Sequence, residues 1–536
     1  MSELTHRKPK KKLLSLPSVA GLLVATALIG QVLGFLRVKI IIANFPTTGP
    51  QGTDAYFAAF TIPDFFFFAV AAGALGVAFM PVLSDHLERG DSRRAWQISS
   101  SLLNFMALIM LFVGLLIVLF PQQLLSIVAP ELVKNPEQLH NAVNIMRFLA
   151  FNPFLFTIGG IIASVQQTMG RFFFYAIAPI FYNLSIIASV YLFRDNIGII
   201  GLGIGAFIGA VVQLLVILVG LKNSGYHWRP KINFKDKDFR LVLRNLPPRS
   251  IDQGADQVNV MVETRFANQL KDGDVTNYNI AYTLHTAPIL LIGTAISTAA
   301  FPRLNARLSQ GRPDLFRRDF LRILRVMIWI AIPVAIITFF LRGYLTRAIF
   351  SDSSSQIAVI LGFLTVAIFF RIIYALVSRW FYAQKDTRTP LYVSLFTIAL
   401  NITLAYFLTK KTGYGVAGLA IAQSIVAAVE VGIMYVIMGI RDHKLFTDVE
   451  FWSGCLKIVS VSGFSLVVGY IMVKLLPLSV TDVGFVTLST KMFAIALPVF
   501  ATHVFLSWLF DLDEAKAMLG TIKRFILRPI KGAPVS

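Results

Sequence analysis

Apolar runs of about 20 residues recur along this chain, each closed by a short polar stretch, and that is the length an α-helix needs to cross bilayer hydrocarbon. Backbone groups in lipid must find partners inside the same segment, so these runs are read as helices rather than strands. The runs fall near 18–43, 55–84, 96–119, 140–165, 171–193, 197–221, 248–269, 276–301, 319–341, 357–381, 389–409, 413–439, 453–476 and 487–510. The expected fold is an all-α polytopic membrane protein with about fourteen transmembrane helices.

Composition supports that solvent. Hydrophobic residues make up 56% of the 536 and charged residues only 14%, with 46 Phe against 15 Tyr and 6 Trp, and mean hydropathy is +0.70. The formal charge of +21 does not form one basic stripe, which argues against a nucleic-acid partner. Most of the 49 Lys and Arg fall in the tails and in alternate loops. Under the positive-inside bias this favours both termini in the cytoplasm. The basic stretch Arg7 to Lys12 precedes an apolar run too long for a cleaved signal, so that run is expected to be the first span. A single cysteine, Cys455, supports neither a disulfide framework nor a zinc cluster.

Two stretches have amphipathic spacing: Phe239, Val242, Leu243 and Leu246 after the sixth span, and Met518, Ile522, Phe525 and Ile526 in the C-terminal tail. The first is expected to lie along the inner leaflet. The chain also repeats itself. Ala78-Phe79-Met80-Pro81 through Gly90 matches Ala299 to Pro302 through Gly311 at an offset of 221. Gln166 and Asn183 match Gln384 and Asn401 at 218, and the Gly198 to Gln213 pattern matches Gly415 to Glu430 at 217. Six spans separate the copies, so the halves share one orientation and are expected to enclose a cavity that opens alternately to either side. The expected organisation is a basic cytoplasmic tail over 1–17, a six-helix lobe over 18–222 and a cytoplasmic amphipathic linker over 223–246. A second six-helix lobe over 247–440, two additional helices over 441–511 and a basic tail over 512–536 complete it.

Charge inside a span costs about 2.5–3.5 kcal/mol or more, so each such residue needs a partner, water or a function. Asp252, Asp256, Asn259 and Glu263 recur at i, i+4, i+7 and i+11 on the seventh span, with Gln253 and Gln257 nearby, and are expected to line one polar face. Asp252, Asp256 and Glu263 are the ion-coupling candidates. Arg37 and Arg147 are the cationic candidates for an anionic headgroup. Arg371, Lys457 and Lys491 read as helix-pairing or interfacial residues, His285 as a packed histidine, and Asp64 after Pro63 as a helix cap. No phosphate loop, HExxH or GxSxG occurs, so an enzyme, or ATP-driven transport by this chain, is disfavoured.

Several of these residues carry a resemblance. Val32-Leu33-Gly34-Phe35-Leu36-Arg37, Thr53-Asp54-Ala55-Tyr56-Phe57, Gly73-Ala74 through Pro81, Arg171-Phe172 with Ala178-Pro179 and Asn183, Gln257-Val258-Asn259 with Glu263, and Phe381-Tyr382-Ala383 through Thr389-Pro390 together resemble the MurJ/MviN family of lipid II flippases. The resemblance implies a multi-pass protein of the bacterial cytoplasmic membrane that moves an undecaprenyl-diphosphate-linked peptidoglycan precursor outward by alternating access. It also implies substrate-binding roles for Arg37, Asp54, Arg147, Asp256, Gln257 and Asn259, and a lipid-tail groove at the last two helices. No cofactor is expected beyond a coupling cation or the membrane potential. Expected partners are the lipid-linked anionic substrate, anionic membrane lipids and cell-wall synthesis proteins. Gln31, Val38, Phe67, Phe68, Ala72, Tyr282, Thr283 and Thr286 stand where the family usually carries charges, while Asp252 and Asp256 are gained. Alternatives are a flippase for another polyprenyl-linked glycan, an ion-coupled multidrug exporter, and a non-transporting membrane scaffold.

Overall fold

The computed structural model describes residues 16–72, 79–350, 354–445, 447–479, 481–482 and 484–516. The C-terminal amphipathic stretch and Gly73, Ala74 and Ala78 of the repeated motif lie outside these. No strand occurs among the described residues, and the chain folds as two compact units, Met1–Gly273 and Asp274–Ser536.

The first unit holds α1 Leu16–Asn44, α2 Thr53–Phe66, α3 Met80–Glu88, α4 Ser92–Leu119, α5 Pro121–Val128, α6 Pro136–Leu149, α7 Asn152–Thr168, α8 Phe173–Ile197, α9 Ile200–Val219 and α10 Lys237–Asn268. The second holds α11 Asp274–Pro288, α12 Ala295–Ser309, α13 Pro313–Ile349, α14 Ser354–Ala383, α15 Arg388–Lys410, α16 Ala417–Arg441, α17 Val449–Leu475 and α18 Phe485–Leu509. Among the described residues, twelve stretches are long and apolar enough to cross a membrane. Two of the fourteen expected spans are absent from that set. The one at 55–84 is interrupted by a π turn at Phe67–Ala72 and by residues outside the described set. The one at 248–269 falls in α10, where Asp252, Asp256, Glu263 and Arg265 dilute the apolar content.

The amphipathic stretch after the sixth span is not a separate helix on the leaflet. It runs unbroken into the seventh span as α10 and buries Phe239, Val242 and Leu246 in the core around Phe79, Leu83 and Leu102. Asp236 caps α10 by accepting from the amides of Asp238 and Phe239 at 2.9 and 3.0 Å. Asp238 then pairs with Arg94 at 3.0 Å and meets His86 at 3.1 Å, fixing this end to α3 and α4. The other end of α10 is tied down too. Asn268 accepts from the Glu131 amide at 2.9 Å, and Asp272 accepts from the Gly49 amide at 2.7 Å and from Gln138. Both ends of α10 are thus bonded within the first unit, which extends to Gly273.

Apolar area alone drives little association among helices already in lipid, so close approach of small residues matters more. Gly201, Gly205 and Gly209 on α9 form such a stripe: a Cβ at Gly201 or Gly205 would collide with Phe193 or Ser189 of α8, and one at Gly209 would press on Tyr182. The repeat is visible in geometry as well. Gly90 and Gly311, 221 apart, both end a helix with positive φ, 78° and 67°. The π turns Phe67–Ala72 and Ile289–Thr294 recur 222 apart. Motif residues of the loops hold turns: Arg171 donates to the carbonyls of Gly220, Lys222 and Asn223, closing the end of α9.

Candidate functional site

In the first unit the polar residues gather around α1, α2, α8 and α10. Arg37 on α1 is half-buried, and its Nε is buried with no hydrogen-bond partner among the described residues. Its guanidinium lies within electrostatic reach of Asp64 and Tyr56 on α2 and of Tyr182 on α8. Asp64 is therefore no helix cap; it sits inside α2, eleven residues past Thr53, half-buried and sharing a field with Arg37. The helix continues through Pro63 instead of starting after it. Sequence spacing gave no signal that Arg37 on α1 and Asp64 on α2 lie within each other's electrostatic field.

The polar face of α10 divides. Asn259 and Glu263 are buried, and the Asn259 amide donates to Glu263 at 3.0 Å, whereas Asp256 is exposed and Gln257 half-buried. The side chain of Asp252 lies outside the described residues. Gly254 brings this helix against the π turn, where an added Cβ would meet Ala69 at 3.3 Å. Asp54 is buried at the start of α2 and accepts from the Gly273 amide at 2.9 Å, which fixes the loop after α10. Arg147, at the last turn of α6, is exposed, with no ion pair or hydrogen bond of its side chain among the described residues. The structure thus brings Arg37 toward α2 and α8, joins Asn259 with Glu263, and leaves Asp54 bonded to backbone.

The second unit buries a different cluster. Arg371 on α14 pairs with Glu430 on α16 at 2.7 Å, and Gln423 stands at 3.5 Å from the same guanidinium. Ser394 on α15 donates to Glu430 at 3.2 Å, and Tyr374 meets Ser394 at 3.3 Å. This is the helix-pairing role expected of Arg371. His285 on α11 is buried, with neither ring nitrogen in a hydrogen bond among the described residues. The signal for this cluster was in the repeat: Gln213 in the first half becomes Glu430 in the second, an acid that a buried site can hold only with a cation beside it. Lys491 anchors instead at a helix end, on Asp482 at 2.6 Å.

Comparison with known proteins places this arrangement. A relative from Buchnera aphidicola, described as "Probable lipid II flippase MurJ", is 27% identical over 406 residues, spanning 74% of this chain and 79% of its own. One from Rickettsia prowazekii with the same description is 24% identical and spans 80% and 85%. The solved structure "Lipid II flippase MurJ, inward closed conformation" shares the fold with a TM-score of 0.73, covering 91% of this chain and 99% of its own at 23% identity. An inward-facing multidrug-resistance transporter of the MATE family follows the same fold at a TM-score of 0.67 and 15% identity, covering 80% of this chain and 99% of its own. The sequence model described as "Lipid II flippase MurJ" matches residues 50–494. With four-fifths of its length inside that match and the same helical fold over 91% of it, this chain belongs to the MurJ lipid II flippase family.

Proposed function

We propose that this chain is a lipid II flippase of the bacterial cytoplasmic membrane, carrying an undecaprenyl-diphosphate-linked precursor from the inner to the outer leaflet by alternating access. A diphosphate-sugar headgroup cannot cross hydrocarbon unaided, because its charges would lose water without replacement. Arg37 is the observation that carries the reading: a guanidinium in a membrane span with a buried, unpartnered Nε is costly unless an anion completes it. A headgroup phosphate supplies two oxygens to that donor fork. Asp64 stands near enough to orient the guanidinium without an ion pair to it among the described residues. Gln257, half-buried on α10 beside the bonded Asn259–Glu263 pair, offers an amide to the sugar-peptide portion, and Arg147 offers a second positive charge. Asp256, exposed on α10, is assigned to cation coupling together with Asp252 and Glu263. Both termini are cytoplasmic in this proposal, and membrane potential biases the cycle by about 2.3 kcal/mol per charge per 100 mV.

The test is complementation of a bacterium depleted of its own flippase. Rescue by the full chain is expected, with Arg37→Ala abolishing it and Lys457→Ala preserving it. Absence of rescue, alongside cation-dependent drug efflux from the same cells, would replace this reading with multidrug export.

A further inference from the structure

Near the start of α13, Arg318, Arg322 and Arg325 recur at i, i+4 and i+7 and so share one helix face. With Asp448 and Glu450 at the start of α17 they line a pocket of about 150 Å³, whose apolar wall is Leu321 and Phe451. Arg325 is already committed, to Glu514 and to Asp513 at 3.2 Å. Arg318 and Arg322 are exposed and form no ion pair among the described residues. Asp448 accepts from the Phe451 amide at 2.8 Å, leaving its second oxygen for other donors, and the Glu450 side chain is exposed.

The pocket therefore presents two guanidinium groups and two carboxylates side by side. A simple anion satisfies half of it and meets repulsion from the other half; a simple cation fares the same way. The complementary ligand is a zwitterion whose phosphate and primary ammonium are a few bonds apart. The helix starts that form the pocket follow basic helix ends and loops, with Arg303 and Arg307 on α12, Arg312 after it, Arg441 ending α16 and Lys444 beyond, which the positive-inside bias sets at the inner leaflet. A second groove, of about 690 Å³, runs along the start of α17 past Val449, Trp452, Leu456, Lys457 and Phe510. Its indole and aliphatic walls suit the glycerol and acyl region of a lipid.

We propose that this pocket binds the headgroup of phosphatidylethanolamine from the inner leaflet, with the phosphate on Arg318 and Arg322, the ammonium on Asp448 and Glu450, and an acyl chain in the groove along α17. Phosphatidylglycerol lacks the ammonium that the carboxylates require, and phosphatidylcholine carries one with no N–H to donate.

The full chain, purified in detergent and mixed with equal amounts of the three phospholipids bearing identical acyl chains, tests this by native mass spectrometry. Phosphatidylethanolamine should be retained about tenfold over the other two, equivalent to about 1.4 kcal/mol. The double variant Arg318→Gln with Arg322→Gln should lose that retention, and Arg318→Lys with Arg322→Lys should restore part of it. Glu450→Gln should erase the preference over phosphatidylglycerol. Equal retention of all three lipids, unchanged retention by the double glutamine variant, or displacement by an equal concentration of soluble phosphoethanolamine would each overturn the proposal. No transport is measured, so the outcome is separate from that of the flippase test.

Discussion

The two units carry the same repeat but treat their intramembrane arginines in opposite ways. In the second unit Arg371 is closed onto Glu430 at 2.7 Å, with Ser394 completing the carboxylate. In the first, Arg37 keeps a buried Nε without a partner among the described residues, and Asp64 supplies a field without a bond. The repeat-related position of Glu430 is Gln213, so the first unit lacks the acid that would neutralise a cation there. The helices and their turns recur in both units, while the charges differ, with a structural pair in one and an unsatisfied donor at a different helix in the other. A paired charge holds helices together; an unpaired one is stored for a ligand.

The sharpest way to break this comparison is to remove each arginine. Arg371→Met leaves Glu430 buried and alone, and thermal unfolding in detergent should show a loss of about 3–5 kcal/mol. Adding Glu430→Leu should recover most of it. Arg37→Met breaks no pair and should cost less than about 1 kcal/mol; a loss equal to that of Arg371→Met would end the distinction between the two sites.

The helix contacts offer the next test. Gly205→Ala places a Cβ against Ser189 and should destabilise by about 1–3 kcal/mol. At the repeat-related position the second unit already holds Ala422, buried in α16, where Ala422→Gly should cost only about 0.5–1 kcal/mol. Comparable losses at both positions would mean that the α8 contact is no tighter than its counterpart.

Asp54→Ala leaves the Gly273 amide without its acceptor, at a cost of about 1–3 kcal/mol. Hydrogen exchange should rise first at residues 269–273, and protection there equal to that of the parent would remove Asp54 from the anchoring of α10.

The smallest expected effect concerns pH. Asp386 lies in the loop before α15, where burial pushes its carboxyl up, but hydrogen bonds from Thr389 and the Arg441 guanidinium outweigh that and hold it down at about 2. Its contribution to the second unit is therefore complete above the ordinary carboxylate range and fades as pH falls toward 2. Asp386→Asn should flatten that acid limb of the stability curve, and an unchanged limb would assign it to other carboxylates.

What the residues alone determined is the helical class, the repeat and the kinds of chemistry available, because a lipid solvent forces long apolar helices and because duplicated turns keep their glycines and caps. The offsets of 217 to 221 already linked Gly90 to Gly311 and Gln213 to Glu430. Tertiary structure decided which charges meet. Periodicity places Asp256 and Glu263 on one face of α10, yet only packing buries Glu263 and leaves Asp256 exposed. It could not show that Phe239 and Val242 belong to a core, since a helix face suited to a leaflet is equally suited to a neighbouring helix. Nor could it tell that Asp64 shares a field with Arg37 or that Arg371 finds Glu430, because both depend on which helices become neighbours, a choice made by small-residue contacts and end tethers distant in sequence.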